Sequence, residues 1–430
     1  MSAHAAPIDW HPEAPATLAD PYPVFARMRE EDPCHWSPRL RSWVLTRHGD
    51  VRAMCLDREG VSSDRLRPFF ASLPSGEASR IADITRYLSL WMVFKDPPEH
   101  TRLRRLTGRV FSTRAMQAMR PQVERIAERL LDDLGERDRF DVVADYAGPL
   151  PCLVIMAMLG VPAEEMAEVK RMSDEIALFI GSSRTSSEKY DTAEAATREM
   201  AGFFERLIDD RRRMPRKDAL SELVHLRDDG DAFTDDELVA TCIMMLFAGH
   251  ETTTNHIANG VLALMRFPDQ MERLRADPGL AAAAVEELLR YDGPSGAQVR
   301  IVRTEQRLHG RTLEPGQRVF MMLNAANRDP RAYADPDRLD LGRDGVPHLA
   351  FGFGGHICLG FPLARTEGAV ALPALVRRFA RMEPLSEPEW INSLVFRGMK
   401  ALPVAVRRQV APPAPASGGR AARAQPSRRM

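Results

Sequence analysis

The stretch from Thr234 to about Met265 constrains the fold more than any other. Thr234 and Glu237 stand in the order TDDE, a capping box that opens a helix, and apolar residues then recur at helical spacing without a break. About 30 residues at roughly 1.5 Å each make a rod on the order of 45 Å long, enough to cross a whole domain. In its middle lies AGHETTTN (248–255). Gly249 and three successive threonines are weak helix formers, so something other than propensity maintains that segment.

The rest of the chain also reads as mostly helical. RPQVERIAERLLDDL (120–134), AEEMAEVKRMSDEIALFI (163–180) and EAATREMAGFFERLIDDRRR (194–213) place apolar residues three and four apart. Strand-like pieces are short: SWVLTR (42–47), QRVFMMLN (317–324) and LPVAVR (402–407). No repeat and no internal linker appears. The pattern predicts a mainly α fold with small β-sheets (α+β) in one domain over residues 1–410. The Pro-, Ala-, Ser- and Arg-rich tail, 411–430, has no periodicity and is expected to be disordered.

Composition narrows the class. With 59 Lys+Arg against 60 Asp+Glu, the net charge is −1, which gives no reason to expect nucleic acid or an anionic membrane as a partner. Five cysteines without CxxC pairs argue against a disulfide framework or a structural zinc. The start, MSAHAAPIDW, lacks the basic and apolar runs of a signal peptide, and no apolar stretch reaches membrane-spanning length. The expectation is a cytoplasmic monomer.

One cysteine stands apart. FGFGGHICLG (351–360) surrounds Cys358 with four glycines, and LGFPLARTEGAVALPALVRRF (359–379) continues as a helix with Pro362 in its first turn. Glycines let backbone N–H groups approach a sulfur closely, and the positive end of a helix dipole favours thiolate. That suits a metal ligand. It equally suits an inert buried cysteine or an anion-cradling loop, although the Lys-Ser/Thr of a P-loop is absent.

The loop resembles the haem-binding loop of the cytochrome P-450 family, Phe-Gly-x-Gly-x-His/Arg-x-Cys-x-Gly, with every fixed position filled. The resemblance runs from about Asp20 to about Val406. It implies haem b, with Cys358 as the iron ligand and Phe351, Gly352, His356 and Gly360 around it, beneath a long central helix. It further implies that Ala248 and Gly249 leave room beside the haem, and that Glu251 and Thr252 form an acid–alcohol pair delivering protons to O2. HTRLRRLTGRVF (100–111) matches the His-x-x-x-Arg pair, so His100 and Arg104, with Arg300 and His356, are expected on the haem propionates. Glu287 and Arg290 match the family's Glu-x-x-Arg, with Arg338 expected as third partner; Leu339 stands where the family usually has an aromatic.

The activity implied by the resemblance is that of a monooxygenase. It would insert one oxygen of O2 into a hydrophobic small molecule, by hydroxylation or epoxidation, in bacterial secondary or xenobiotic metabolism. Electrons would come from ferredoxin and ferredoxin reductase. Arg102, Arg105 and Arg109 share a helix face that is either solvated or a dock for that acidic partner. Met245, Val299, Leu394 and Val395 are expected in the substrate pocket, with the Ser-rich stretch 181–191 as a lid. Two alternatives are a peroxide-driven peroxygenase of the same fold, against which Glu251 and Thr252 speak, and a non-catalytic haem-thiolate ligand sensor.

Overall fold

The computed structural model describes residues 8–181, 187–228, 230–345 and 347–409. The expected tail, 411–430, and the middle of the expected lid, 182–186, lie outside them.

The central helix runs Asp235–Arg266 and starts as the sequence predicts. Thr234 Oγ1 accepts from the Glu237 N–H at 3.2 Å, and Glu237 Oε2 accepts from the Thr234 N–H at 2.9 Å. The helix is buried from Leu238 to Phe247 and again from Thr253 to Leu264, but Ala248, Gly249, Glu251 and Thr252 are not. The interruption in burial coincides with the weak helix formers.

Tight packing holds that segment helical. The helix Pro149–Leu159, apolar on nearly every face, lies across it, and a Cβ on Gly249 would come 3.0 Å from Ile155 Cγ1. The helix Phe361–Arg378, which follows Cys358, crosses farther along. There a Cβ on Gly260 would meet Leu372 Cδ2 at 3.2 Å, and one on Gly368 would meet His256 Nε2 at 2.8 Å. Glycines on both helices thus set the closeness of the crossing.

The small sheets lie beside this helical body. Five strands run in the order Cys34–Ser37, Ser42–Leu45, Arg318–Met322, Ala297–Val302, Val61–Ser62. Only the Ser42–Leu45 and Arg318–Met322 pair is parallel. Pro403–Arg408 is the middle strand of a three-stranded sheet with Arg139–Asp141 and Phe379–Pro384. All three strands read from the sequence form. The helix expected over 163–180 opens with a 3₁₀ turn, Ala163–Glu165, before the α-helix Met166–Gly181. No helix among the described residues is long and apolar enough to cross a membrane.

Candidate active site

The cysteine loop needs glycine at two positions in particular. Gly352 and Gly354 both have φ of 71°, in the left-handed region. A Cβ on Gly352 would fall 2.4 Å from Gln298 Nε2, and one on Gly354 would fall 2.9 Å from the Cys55 carbonyl oxygen. The loop closes where the Cys358 N–H donates to the Phe351 carbonyl at 2.9 Å. Burial raises the Cys358 thiol above its usual range. Against this act the N–H groups of Gly360 and Phe361 and the guanidiniums of Arg104 and Arg365. Cys358 is nevertheless exposed, because its open surface forms the wall of an internal cavity.

That cavity, about 250 Å³, separates the cysteine loop from the central helix. Cys358, Phe351 and Gly360 line one wall; Met245, Ala248, Gly249 and Thr252 line the other. At one end it meets a polar cavity of about 420 Å³ bordered by His100, Arg104, Arg300 and His356. Three of these four, His100, Arg104 and His356, border both cavities. The two imidazoles stack with centroids 3.9 Å apart. Burial, then the neighbouring Arg104, pulls His100 down to about 4; burial, then His100 and Arg300, pulls His356 down to about 3. His356 Nε2 lies 3.1 Å from Ser63 Oγ.

Asp57 and Asp96 also border the second cavity, but Asp96 is already engaged by Arg303, the Ser62 hydroxyl and the Ser63 N–H. Among the described residues neither Arg104 nor Arg300 has a carboxylate within ion-pair distance, and Arg300 Nη2 is buried without a partner. Buried guanidiniums require acceptors. An apolar slot with a sulfur on one face and two arginines without an ion-pair partner at its rim fits haem b, whose body is apolar and whose edge carries two carboxylates.

Glu251 and Thr252 face different ways. Thr252 lines the cavity, and its hydroxyl donates to the Ala248 carbonyl at 2.9 Å. Glu251 is not among the lining residues. It hydrogen-bonds Asp174, and its Oε1 lies 3.4 Å from His250 Nε2. Burial, then the Asp174 charge, holds its carboxyl up at about 8, whereas burial takes His250 down to about 4. Asp174 is exposed and bears Lys170 Nζ on Oδ2 at 2.6 Å.

Of the residues expected at the substrate, only Met245 lines the cavity. Val299 is buried in a separate cluster with Trp10, Phe25 and Phe320, while Gln298 faces the cavity instead. The strand alternation is one residue out of step with the expectation. Leu394 borders another small cavity beside Trp10, and the Val395 carbonyl accepts from the Gly296 N–H at 2.9 Å. Among the lining residues that escaped the sequence reading are His256 and Glu367, both buried, with no partner for either ring nitrogen of His256 or for Glu367 Oε2. His256 lies four residues past Thr252, a helical spacing that could have revealed it.

The surrounding arginines differ from expectation in two places. Arg290 grips Glu287 through Nε at 2.7 Å and Nη2 at 2.8 Å, both side chains buried. The third charged partner is Arg343, whose Nε donates to Glu287 Oε1 at 3.1 Å. Arg338, exposed, contributes its carbonyl, which accepts from Arg290 Nη2 and Arg343 Nη2. Leu339, in place of an aromatic, is fully buried. On the helix Glu99–Gly108 and just beyond it, Arg102 pairs with Asp231 and Glu237, Arg105 with Asp228 and Asp231, and Arg109 with Asp228. These cations are neutralised within the chain.

Residues 76–278 and 279–402 match the family model described as Cytochrome P-450, and the chain belongs to that family. Cytochrome P-450 monooxygenase PikC of Streptomyces venezuelae is 37% identical over 403 residues, covering 91% of this chain and 92% of the relative. The 6-deoxyerythronolide B hydroxylase of Saccharopolyspora erythraea is 35% identical, covering 91% and 97%. Among solved structures, epothilone B-bound cytochrome P-450epoK superposes with a TM-score of 0.85 at 32% identity, covering 93% of this chain and all of the other. The chain is a cytochrome P-450 monooxygenase, and its family implies a haem-thiolate cofactor.

Proposed function

We propose that the chain hydroxylates or epoxidises a hydrophobic small molecule, inserting one atom of O2, with electrons from ferredoxin and its reductase. The observation that carries this is a sulfur, Cys358, facing the Ala248–Thr252 segment across an apolar cavity whose rim holds two guanidiniums without an ion-pair partner. Thiolate-ligated haem b, when bound, supplies O2 activation and O–O cleavage.

Cys358 would hold the iron as thiolate; metal ligation removes the proton that burial alone retains. His100, Arg104, Arg300 and His356 would hold the two propionates. Ala248 and Gly249, with no side-chain bulk, leave space between the central helix and the cofactor. Thr252 Oγ1 holds a proton at the cavity wall. Glu251, carrying a proton at neutral pH and hydrogen-bonded to exposed Asp174, replenishes it from outside. Met245 and Gln298 would contact substrate. Relatives named for 6-deoxyerythronolide B and for vitamin D(3), and a solved structure bound to epothilone B, support a large apolar macrocycle or polycycle as substrate class.

Replacing Cys358 with Ala tests the reading. The reduced, CO-treated variant should lose the haem-thiolate absorption band and all product formation. A variant that keeps both would refute the proposal.

A further inference from the structure

Away from the cavity, three ligand-type side chains converge where the central helix packs on Met166–Gly181. His250 Nε2, Glu251 and Asp174 offer ligand atoms that all lie within 4.8 Å of one another. Nε2 is 3.4 Å from Glu251 Oε1 and 3.9 Å from Asp174 Oδ1. Tetrahedral zinc with bonds of about 2.0–2.2 Å places its ligand atoms roughly 3.3–3.6 Å apart. The His250–Glu251 pair already meets that spacing, and the remaining adjustment falls to Asp174, the exposed member.

The surroundings favour a ligand role for the imidazole. The His250 side chain is 2% exposed. Its Nδ1 lies 3.4 Å from Ser173 Oγ, and the Leu246 carbonyl accepts from the ring. Nδ1 thus lies on the Ser173 side and Nε2 on the side of the two carboxylates, so the Nδ1–H tautomer would present the Nε2 lone pair to a metal ion, with Nδ1 held from outside as is typical of metal-bound histidine. Lys170 sits on Asp174 Oδ2, so Oδ1 faces the cluster without displacing it. One imidazole and two carboxylates suit zinc, whereas magnesium prefers all-oxygen, octahedral sites.

We propose that Asp174, His250 and Glu251 form a binding site for a divalent transition ion, zinc in the first instance, reached from the surface at Asp174. An ion held there engages the Glu251 carboxyl. On the proton role proposed for Glu251, which this consequence alone rests on, zinc acts as an inhibitor that diverts electrons from product to hydrogen peroxide.

The haem-loaded protein is titrated with zinc chloride by isothermal calorimetry, beside His250→Phe and Asp174→Asn variants whose CO-difference spectra match the parent. The expected result is one zinc-binding event lost, or weakened at least tenfold, in both variants, and unaffected by excess magnesium. Identical zinc isotherms in parent and variants overturn the site. Turnover is then read as product and peroxide per electron. Zinc should lower the product share in the parent and leave it unchanged in His250→Phe. Site-specific binding with no change in the product share upholds the metal site and overturns instead the proton role of Glu251.

Discussion

Glu251 and Thr252 are neighbours in sequence yet face different surroundings, about 100° apart around the central helix. The threonine hydroxyl, donating to Ala248, borders the cavity in front of Cys358, whereas the Glu251 carboxyl reaches back to Asp174 at the protein surface. The pair therefore joins the cavity side of the helix to the side that meets Asp174. A proton taken up outside can be held on Glu251 and needed one residue away.

Thr252→Ala should separate electron use from chemistry. Alanine is the better helix former, and the lost hydroxyl bonds only a helical carbonyl, so thermal stability should change by less than about 1 kcal/mol. Reductant consumption should persist while product per electron falls at least tenfold, within the range that a positioned proton donor contributes. Paired assays of reductant, product and hydrogen peroxide check this; unchanged coupling would remove Thr252 from proton delivery.

Glu251→Gln should flatten the pH dependence of stability. A glutamate in the unfolded chain titrates near 4.3, whereas burial holds this one up at about 8. Between those values the folded state binds the extra proton, so the native form loses stability as pH rises through that window. Glutamine cannot ionise. Urea midpoints of variant and parent should thus converge below about pH 4 and separate in favour of the variant near about pH 9. Parallel curves would show that Glu251 is not held protonated.

Much of this arrangement was legible in the sequence, for physical reasons. The capping box and the unbroken apolar pattern fixed the central helix to within a residue, because local chemistry determines where a helix starts. Cys358 and its glycines were visible because left-handed backbone at Gly352 and Gly354 leaves a compositional mark. Partners set by tertiary register were not. Val299 and Gln298 alternate across a strand, and nothing local says which one faces the cavity. The Asp228–Asp231 turn that neutralises the Arg102, Arg105 and Arg109 face lies more than a hundred residues away, so that face read as free charge.

Because those cations are spoken for, Arg109→Ala should leave ferredoxin-driven reduction nearly unchanged in both rate and salt dependence. The Arg109 side chain is 59% exposed and its pair with Asp228 adds little stability. Stopped-flow reduction over a range of salt concentrations is the check. A rate that falls in the variant, with a weaker dependence on salt, would return Arg109 to the docking surface.

The network behind the cysteine loop yields an unequal pair of arginine variants. Arg343 donates through Nε to Glu287 and through Nη2 to the Arg338 carbonyl, joining segment 338–343 to the helix that carries Arg290. Its removal leaves a buried carboxylate with one fewer charged donor, which costs about 1–3 kcal/mol. The exposed Arg338 side chain is replaceable by alanine within about 0.5 kcal/mol, since its backbone carbonyl makes the contacts. Glu287→Ala should be worst, at about 3–5 kcal/mol, because it strands the buried Arg290 guanidinium. Asn327 carries the effect onward: its carbonyl accepts from Arg290 at 3.0 Å, and its Oδ1 accepts from the Leu349 N–H at 2.7 Å, two residues before the cysteine loop. Urea unfolding combined with the rate of haem transfer to apomyoglobin should therefore rank the variants Glu287→Ala, Arg343→Ala, Arg338→Ala from most to least impaired. An Arg338→Ala variant as unstable as Arg343→Ala would show that the exposed side chain, and not the backbone, closes the network.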